Sequence, residues 1–117
     1  MSVKVLIIED DADAREVLQF SLEAEGQPVA VAANGAEGLA VAAAVRPDVV
    51  FVDLKLPDVD GFEVARLLRV LLGPAARLVA LTGFGRPEDL AATAAAGFDD
   101  HLTKPVGADT ILALLAA

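Results

Sequence analysis

Short apolar runs alternate along this chain with stretches in which apolar residues recur every three or four positions. Val3 to Ile8 is the first β-rich run, and it stops abruptly at Glu9-Asp10-Asp11. Asp13 to Glu25 has helical spacing, with Val17, Leu18 and Leu22 on one face, Arg15, Glu16, Glu23 and Glu25 left for water, and Gly26 as the stop. Val29 to Ala32 predicts a short strand, Asn34-Gly35 a turn, and Ala36 to Val45 a helix closed by Pro47. Val49-Val50-Phe51-Val52 then runs straight into Asp53, with a Leu56-Pro57 break beyond it. A continuous apolar run of this length predicts a strand buried on both faces. Asp53 falls at its carboxyl end, where open parallel sheets bind ligands.

The second half repeats the rhythm. Asp60-Gly61 opens a helix with Asp60 as N-cap; Val64, Leu67, Leu68 and Leu71 form its apolar stripe, and Glu63, Arg66 and Arg69 its wet face. Gly73-Pro74 breaks it, and Leu78 to Leu81 is a strand ending in Thr82-Gly83. Pro87 starts an alanine-rich helix, Glu88 to Ala96, stopped by Gly97; His101-Leu102-Thr103 is a short strand ending at Lys104-Pro105, and Asp109 to Ala117 is a last helix. Five β and five α elements in strict alternation, with short loops and no linker or repeat, predict one α/β domain over residues 1–117: a parallel sheet with helices on both faces.

Composition narrows the function classes. The 117 residues are 56% hydrophobic with a net charge of −9. The acidity argues against a nucleic-acid or anionic-membrane binder and leaves protein partners and cations open. No apolar run approaches the ~18 residues of a membrane span, and the N-terminus lacks signal-peptide features. The expectation is a soluble cytoplasmic protein. The absence of cysteine excludes disulfides, zinc–thiolate sites and thiol catalysis.

Three predicted strands end in functional groups, Glu9/Asp10, Asp53 and Thr82, and a fourth ends in Lys104. If strands one, three, four and five are neighbours, these groups meet in one cleft. Clustered carboxylates repel, and burial makes that worse. A divalent cation makes such a cluster tolerable, and all-oxygen ligands suit Mg²⁺ or Mn²⁺. With Lys104 and Thr82 facing the oxygens of a phosphoryl group, the set has the parts needed for phosphoryl transfer to an aspartate.

These motifs resemble those of the receiver domains of two-component response regulators. The resemblance rests on Leu6-Ile7-Ile8-Glu9-Asp10-Asp11 followed by Arg15, Asp53-Leu54-Lys55-Leu56-Pro57 with Asp60-Gly61, Ala80-Leu81-Thr82-Gly83, Ala96-Gly97-Phe98 and Lys104-Pro105. It implies a flavodoxin-like, doubly wound five-stranded parallel sheet in the order 2-1-3-4-5. It further implies that Asp53 is the phosphoacceptor, Asp10 a direct Mg²⁺ ligand, Glu9 a ligand through water and the Lys55 carbonyl the last protein ligand. Thr82 would hydrogen-bond the phosphoryl group, Lys104 would pair with it, and the Lys104-Pro105 peptide would be cis. Thr82 and His101 take the switch positions; the family often has Tyr or Phe where this chain has His101, and in those members the aromatic turns inward. Asp11 reads as a helix N-terminal acid, Asp13 as exposed, and Asp58 and Asp60 as loop and cap.

The resemblance implies a histidine kinase or histidine phosphotransfer protein as donor, an output partner the sequence does not name, no direct nucleic acid, and a monomer or weak homodimer. Phe84, two residues after Thr82, is expected to hinder the attacking water and lengthen the aspartyl-phosphate lifetime. The expectation is a stand-alone receiver or one excised from a longer regulator or hybrid kinase; Leu81 to Gly85 and Asp99 to Leu102 resemble hybrid-kinase receivers. Two other classes compete. A phosphorylation-independent interaction module would sit on the same fold. An aspartate-nucleophile phosphohydrolase would carry an acid where this chain has Lys55. A flavin phosphate would be repelled by the acidic loop after the first strand.

Overall fold

The computed structural model describes residues 3–83 and 87–116, with residues 87–90 as backbone only. Among these residues the elements alternate strictly: β1 (Val5–Ile8), α1 (Ala12–Ala24), β2 (Val29–Ala32), α2 (Gly35–Val45), β3 (Val49–Asp53), α3 (Gly61–Leu72), β4 (Arg77–Thr82), α4 (Pro87–Ala95), β5 (Asp100–Thr103) and α5 (Ala108–Ala116). The five strands form a parallel sheet in the order β2-β1-β3-β4-β5. Among the described residues no helix is long and apolar enough to cross a membrane.

The central strands are apolar at every position because both faces of the sheet are covered. Leu6, Ile8, Val50, Val52, Leu78 and Ala80 point to one core, which Ala42 of α2 and Val64, Ala65 and Leu68 of α3 complete. The alternate residues Val5, Ile7, Val49, Phe51, Val79 and Leu81 point to the other, closed by Leu18 and Leu22 of α1 and Ile111 of α5. Each fully buried Leu or Ile contributes roughly 1.5–3 kcal/mol. Parallel pairing turns every strand's carboxyl end to one edge of this two-sided core, and the chemistry collects there.

The structure turns three side chains away from their predicted faces. Val17 is 63% exposed, because α1 seats on the sheet through Leu18 and Leu22 and residue 17 lies about 100° around the helix from Leu18. Leu67 is exposed for the same reason beside Leu68. Arg69, expected on the wet face, folds back over the end of α3. Its guanidinium donates to the carbonyls of Ala76 (2.6 Å) and Gly97 (2.8 Å) and to the Asp99 carboxylate (2.9 Å). Asp99 also accepts the Leu78 amide at 2.9 Å, so one arginine ties α3 to β4 and to the approach to β5.

Candidate functional site

Sheet register builds the site. β1 pairs with β3 through Ile8 and Val52, which leaves Glu9 and Asp53 one step beyond, side by side at the edge. Asp53 pairs with Leu81, and Thr82 with Thr103. Pairing continues past the strand ends: the Leu54 amide donates to the Leu81 carbonyl at 3.1 Å and the Lys104 amide to the Thr82 carbonyl at 2.7 Å. Lys104 is thereby set opposite Asp53, 51 residues away in sequence, and its peptide to Pro105 is cis. The loop after β1 is held by Arg15, which donates to the Glu9 carbonyl at 2.8 Å. Asp11 caps α1, accepting from the amides of Asp13 and Ala14.

The loop after β3 depends on Gly61. A Cβ there would lie 2.6 Å from the Leu54 Cα and 2.8 Å from the Asp53 carbonyl oxygen, so α3 starts against the backbone of the site itself. Asp60 caps this helix through the Phe62 amide at 2.8 Å.

Glu9 and Asp53 are buried at 3% and 4% exposure, and Lys104 reaches both. Its Nζ lies 2.8 Å from Asp53 Oδ2 and 3.0 Å from Glu9 Oε1. The other Asp53 oxygen, Oδ1, accepts the Lys55 amide at 3.0 Å. Burial, and then sharing a proton with Asp53, pushes Glu9 up to about 7, against the pull of Lys104. Burial also pushes Asp53 up, but hydrogen bonds from Glu9, Lys104 and the Lys55 amide outweigh it and hold Asp53 below the ordinary carboxylate range. Burial works against the Lys104 ammonium, yet its bonds to Asp53 and Glu9 raise it above its usual value. One buried carboxylate is thus kept ionised while its neighbour is primed to hold a proton.

Asp10 completes the cluster. Glu9, Asp10 and Asp53 each offer one oxygen, all within 4.8 Å of one another, with Asp10 exposed to solvent. Hard oxygen donors that close, open to water on one side, fit an Mg²⁺ or Mn²⁺ ion bound at about 2.1 Å. Three carboxyl groups face one ammonium, so the cluster carries more acidic than basic groups, an excess that a divalent cation would offset.

The cluster lines a cavity of about 510 Å³ whose wall also includes Lys55, Thr82 and Gly83. Thr82 is buried at the end of β4. Of the residues singled out from sequence, Glu9, Asp10, Asp53, Lys55, Thr82 and Lys104 come together here. His101 does not: it lies on β5 opposite Ala80 with its side chain exposed. Phe84 lies outside the described residues. Asp58, read as a loop residue, accepts from the Gly35 and Ala36 amides at the start of α2.

Phe62, in the first turn of α3, also lines the cavity and was not anticipated. Its position directly after Asp60-Gly61 was the signal available. A second, more apolar groove opens beside the first, walled by Val17, Leu18, Pro105 and Val106, and shares Glu9, Asp11, Leu81 and Lys104 with it.

Comparison with known proteins agrees with this geometry. The family described as "Response regulator receiver domain" matches residues 5–116. An uncharacterized 14.6 kDa protein of Leptolyngbya boryana is 40% identical over 103 residues, 87% of this chain and 79% of that protein. The response regulator MprA of Mycobacterium tuberculosis is 38% identical over the whole of this chain, which spans 50% of MprA's length. Among solved structures, the chemotaxis protein CheY4 of Vibrio cholerae superposes with a TM-score of 0.92 at 31% identity, covering 99% of this chain and 98% of that one. With the 2-1-3-4-5 sheet and the carboxylate–lysine edge in place, the chain belongs to the response regulator receiver domain family of two-component signalling.

Proposed function

We propose that this domain accepts a phosphoryl group on Asp53 from a histidine kinase or histidine phosphotransfer protein, in a reaction that needs Mg²⁺ or Mn²⁺. The observation that carries the reading is the buried Asp53 carboxylate, held ionised by Lys104 at 2.8 Å within a cluster of three carboxylates.

A lone pair on an Asp53 carboxylate oxygen attacks the phosphorus of a phosphohistidine. The phosphorus–nitrogen bond breaks, its electron pair stays on the imidazole nitrogen, and that nitrogen takes up a proton from solvent. The product is an acyl phosphate on Asp53. Glu9, Asp10, Asp53 and the Lys55 carbonyl would hold the divalent ion, which supplies charge neutralisation for the transferred oxygens. Lys104 pairs with a phosphoryl oxygen and the Thr82 hydroxyl donates to another, so the chain orients and stabilises the group without providing a general base. It acts as a phosphoacceptor that assists its own phosphorylation and dephosphorylation, rather than as an enzyme on an outside substrate.

Once formed, the acyl phosphate draws Thr82 and Lys104 toward it and biases a two-state equilibrium, with His101 on β5 at the surface that reports the change. The donor protein reaches Asp53 across the apolar groove beside it, where exposed Val17 and Pro105 adjoin the shared wall of Glu9 and Lys104. The setting proposed for these exchanges is the cytoplasm.

The test is intact mass after incubation with Mg²⁺ and acetyl phosphate, for the wild type and Asp53→Ala. The expected result is a gain of one phosphoryl group in the wild type alone, abolished by a chelator. No gain from acetyl phosphate or from any protein donor would replace this reading with a phosphorylation-independent interaction module.

A further inference from the structure

Asn34 is the chain's one asparagine, and Gly35 follows it. Asparagine is thermally labile, and most so before glycine, where no side chain shields the next backbone nitrogen. That nitrogen gives up its proton to solvent base, and its electron pair attacks the side-chain carbonyl carbon of the asparagine. The bond to the side-chain nitrogen breaks, and that nitrogen takes a proton from water and leaves as ammonia. The product is a five-membered succinimide, which water opens at either carbonyl to aspartate or isoaspartate. Ring closure requires the Asn34-Gly35 peptide to turn about ψ of Asn34, which stands at 175°.

The fold holds this peptide on both sides. The Gly35 amide donates to Asp58 Oδ1 at 2.8 Å, and the Asn34 main-chain carbonyl accepts the Gly38 amide at 2.9 Å. The Asn34 side-chain oxygen accepts the Glu37 amide at 2.8 Å. Gly35 is buried, and a Cβ there would lie 2.9 Å from the Val64 side chain and 3.2 Å from that of Val59. Two of the three bonds lie within Asn34 and α2; the one to Asp58 comes from a separate segment.

We propose that Asn34 is a site of spontaneous modification, deamidation to aspartate and isoaspartate, and that Asp58 sets its rate by holding the Gly35 nitrogen away from the Asn34 side chain. The Asp58 carboxylate acts in two ways. It fixes the direction of the N–H, and its negative charge opposes removal of the amide proton. Asn34 is half-exposed, so water reaches it and ammonia departs once the clamp opens. Conversion therefore proceeds through local opening of the head of α2. An isoaspartate adds one carbon to the main chain between β2 and α2, a change that refolding does not reverse. This modification is independent of whether Asp53 accepts phosphate.

The test is ageing of the folded wild type, Asp58→Ala and Arg69→Ala in mildly alkaline buffer, with the wild type in urea beside them. Intact mass reads the conversion of amide to acid, and peptide mapping places it at Asn34. The expected result is slow conversion in the folded wild type and conversion roughly tenfold faster, or more, in Asp58→Ala, the effect of losing hydrogen bonds to a charged acceptor. Arg69→Ala, which loosens the far end of α3, should track the wild type. Equal rates in folded wild type and folded Asp58→Ala overturn the clamp. Equal acceleration by Arg69→Ala also overturns it, by making global unfolding the route. Equal rates for the wild type folded and in urea overturn the protection altogether. Should Asp58→Ala lack a native circular dichroism spectrum, the wild type decides. Hydrogen exchange of its Gly35 amide, followed by NMR, is expected to be slowed by much the same factor as deamidation; an unprotected Gly35 amide overturns the inference.

Discussion

The Asp58 carboxylate accepts the Gly35 amide at 2.8 Å, joining the loop after β3 to the first residue of α2 across 23 positions of sequence. Its second oxygen takes the Ala36 amide at 2.9 Å, and Asn34 takes Glu37 at 2.8 Å. Three successive amides at the head of α2 are thus satisfied, one by the adjoining N-cap residue and two by Asp58 from the loop after β3. The same loop begins just after Asp53 and carries Lys55, so the cap ties a segment that leaves the site to α2.

Hydrogen bonds from the Ala36 and Gly35 amides, in that order, hold the Asp58 carboxyl below its ordinary value of 3.8. A carboxyl whose pKa is depressed by folding contributes stability above its unfolded pKa and loses it as pH falls through the folded pKa. Asp58→Asn is therefore expected to unfold at lower urea than the wild type at pH 7, with the gap narrowing below about pH 4. A gap of equal size at pH 7 and pH 3, read from the two denaturation midpoints, would show that the charge on Asp58 is not what matters.

Gly61→Ala places a methyl against the backbone of Leu54 and Asp53, which cannot step aside as a side-chain tip can. Overpacking of this kind costs about 1–3 kcal/mol. The expected outcome is a lowered thermal midpoint together with slower labelling by acetyl phosphate, since the atoms displaced adjoin Asp53. Unchanged labelling with unchanged stability would mean that the start of α3 yields more readily than its packing implies.

Arg69→Ala removes charge-assisted bonds to Asp99 and to the Gly97 and Ala76 carbonyls, which join three separate segments. The loss is expected to be about 1.5–3 kcal/mol, the range for hydrogen bonds to a charged group. Urea unfolding should show it as a lower midpoint with an unchanged slope. Arg69→Lys should recover little, because a single ammonium does not match the forked geometry.

Val17→Asp tests the route of the phosphodonor. Val17 is 63% exposed on the wall of the apolar groove, so the change should leave stability within about 0.5 kcal/mol. Labelling by acetyl phosphate, which needs no docking surface, should be unaffected, whereas transfer from a protein donor should slow. Equal slowing with both donors would move the effect from docking to the site itself.

Much of this architecture was legible in one dimension because each strand has to be apolar on both faces. Val49-Val50-Phe51-Val52 admits few other readings, and a polar residue ending such a run must lie at a sheet edge. Strict alternation then implied parallel strands, and parallel strands put Glu9, Asp53, Thr82 and Lys104 on one edge. Caps and breakers such as Asp60 and Gly73 marked the helix ends, since their effect is local.

The tertiary structure alone decided what depends on partners far away in the chain. Periodicity gave Val17 and Leu67 the same claim to the core as their neighbours, and only the seating of each helix on the sheet turned them outward. Arg69 looked like a solvated charge until carbonyls near residues 76 and 97 were brought within its reach. Asp58 became a helix cap through amides more than 20 residues distant. Most consequentially, the sequence shows Glu9, Asp53 and Lys104 as an edge inventory, whereas the fold makes them one ion-paired unit. Hydrophobic burial is written residue by residue along the chain. Hydrogen bonds and ion pairs depend on separations of about 3 Å between segments, which exist only after the chain has packed.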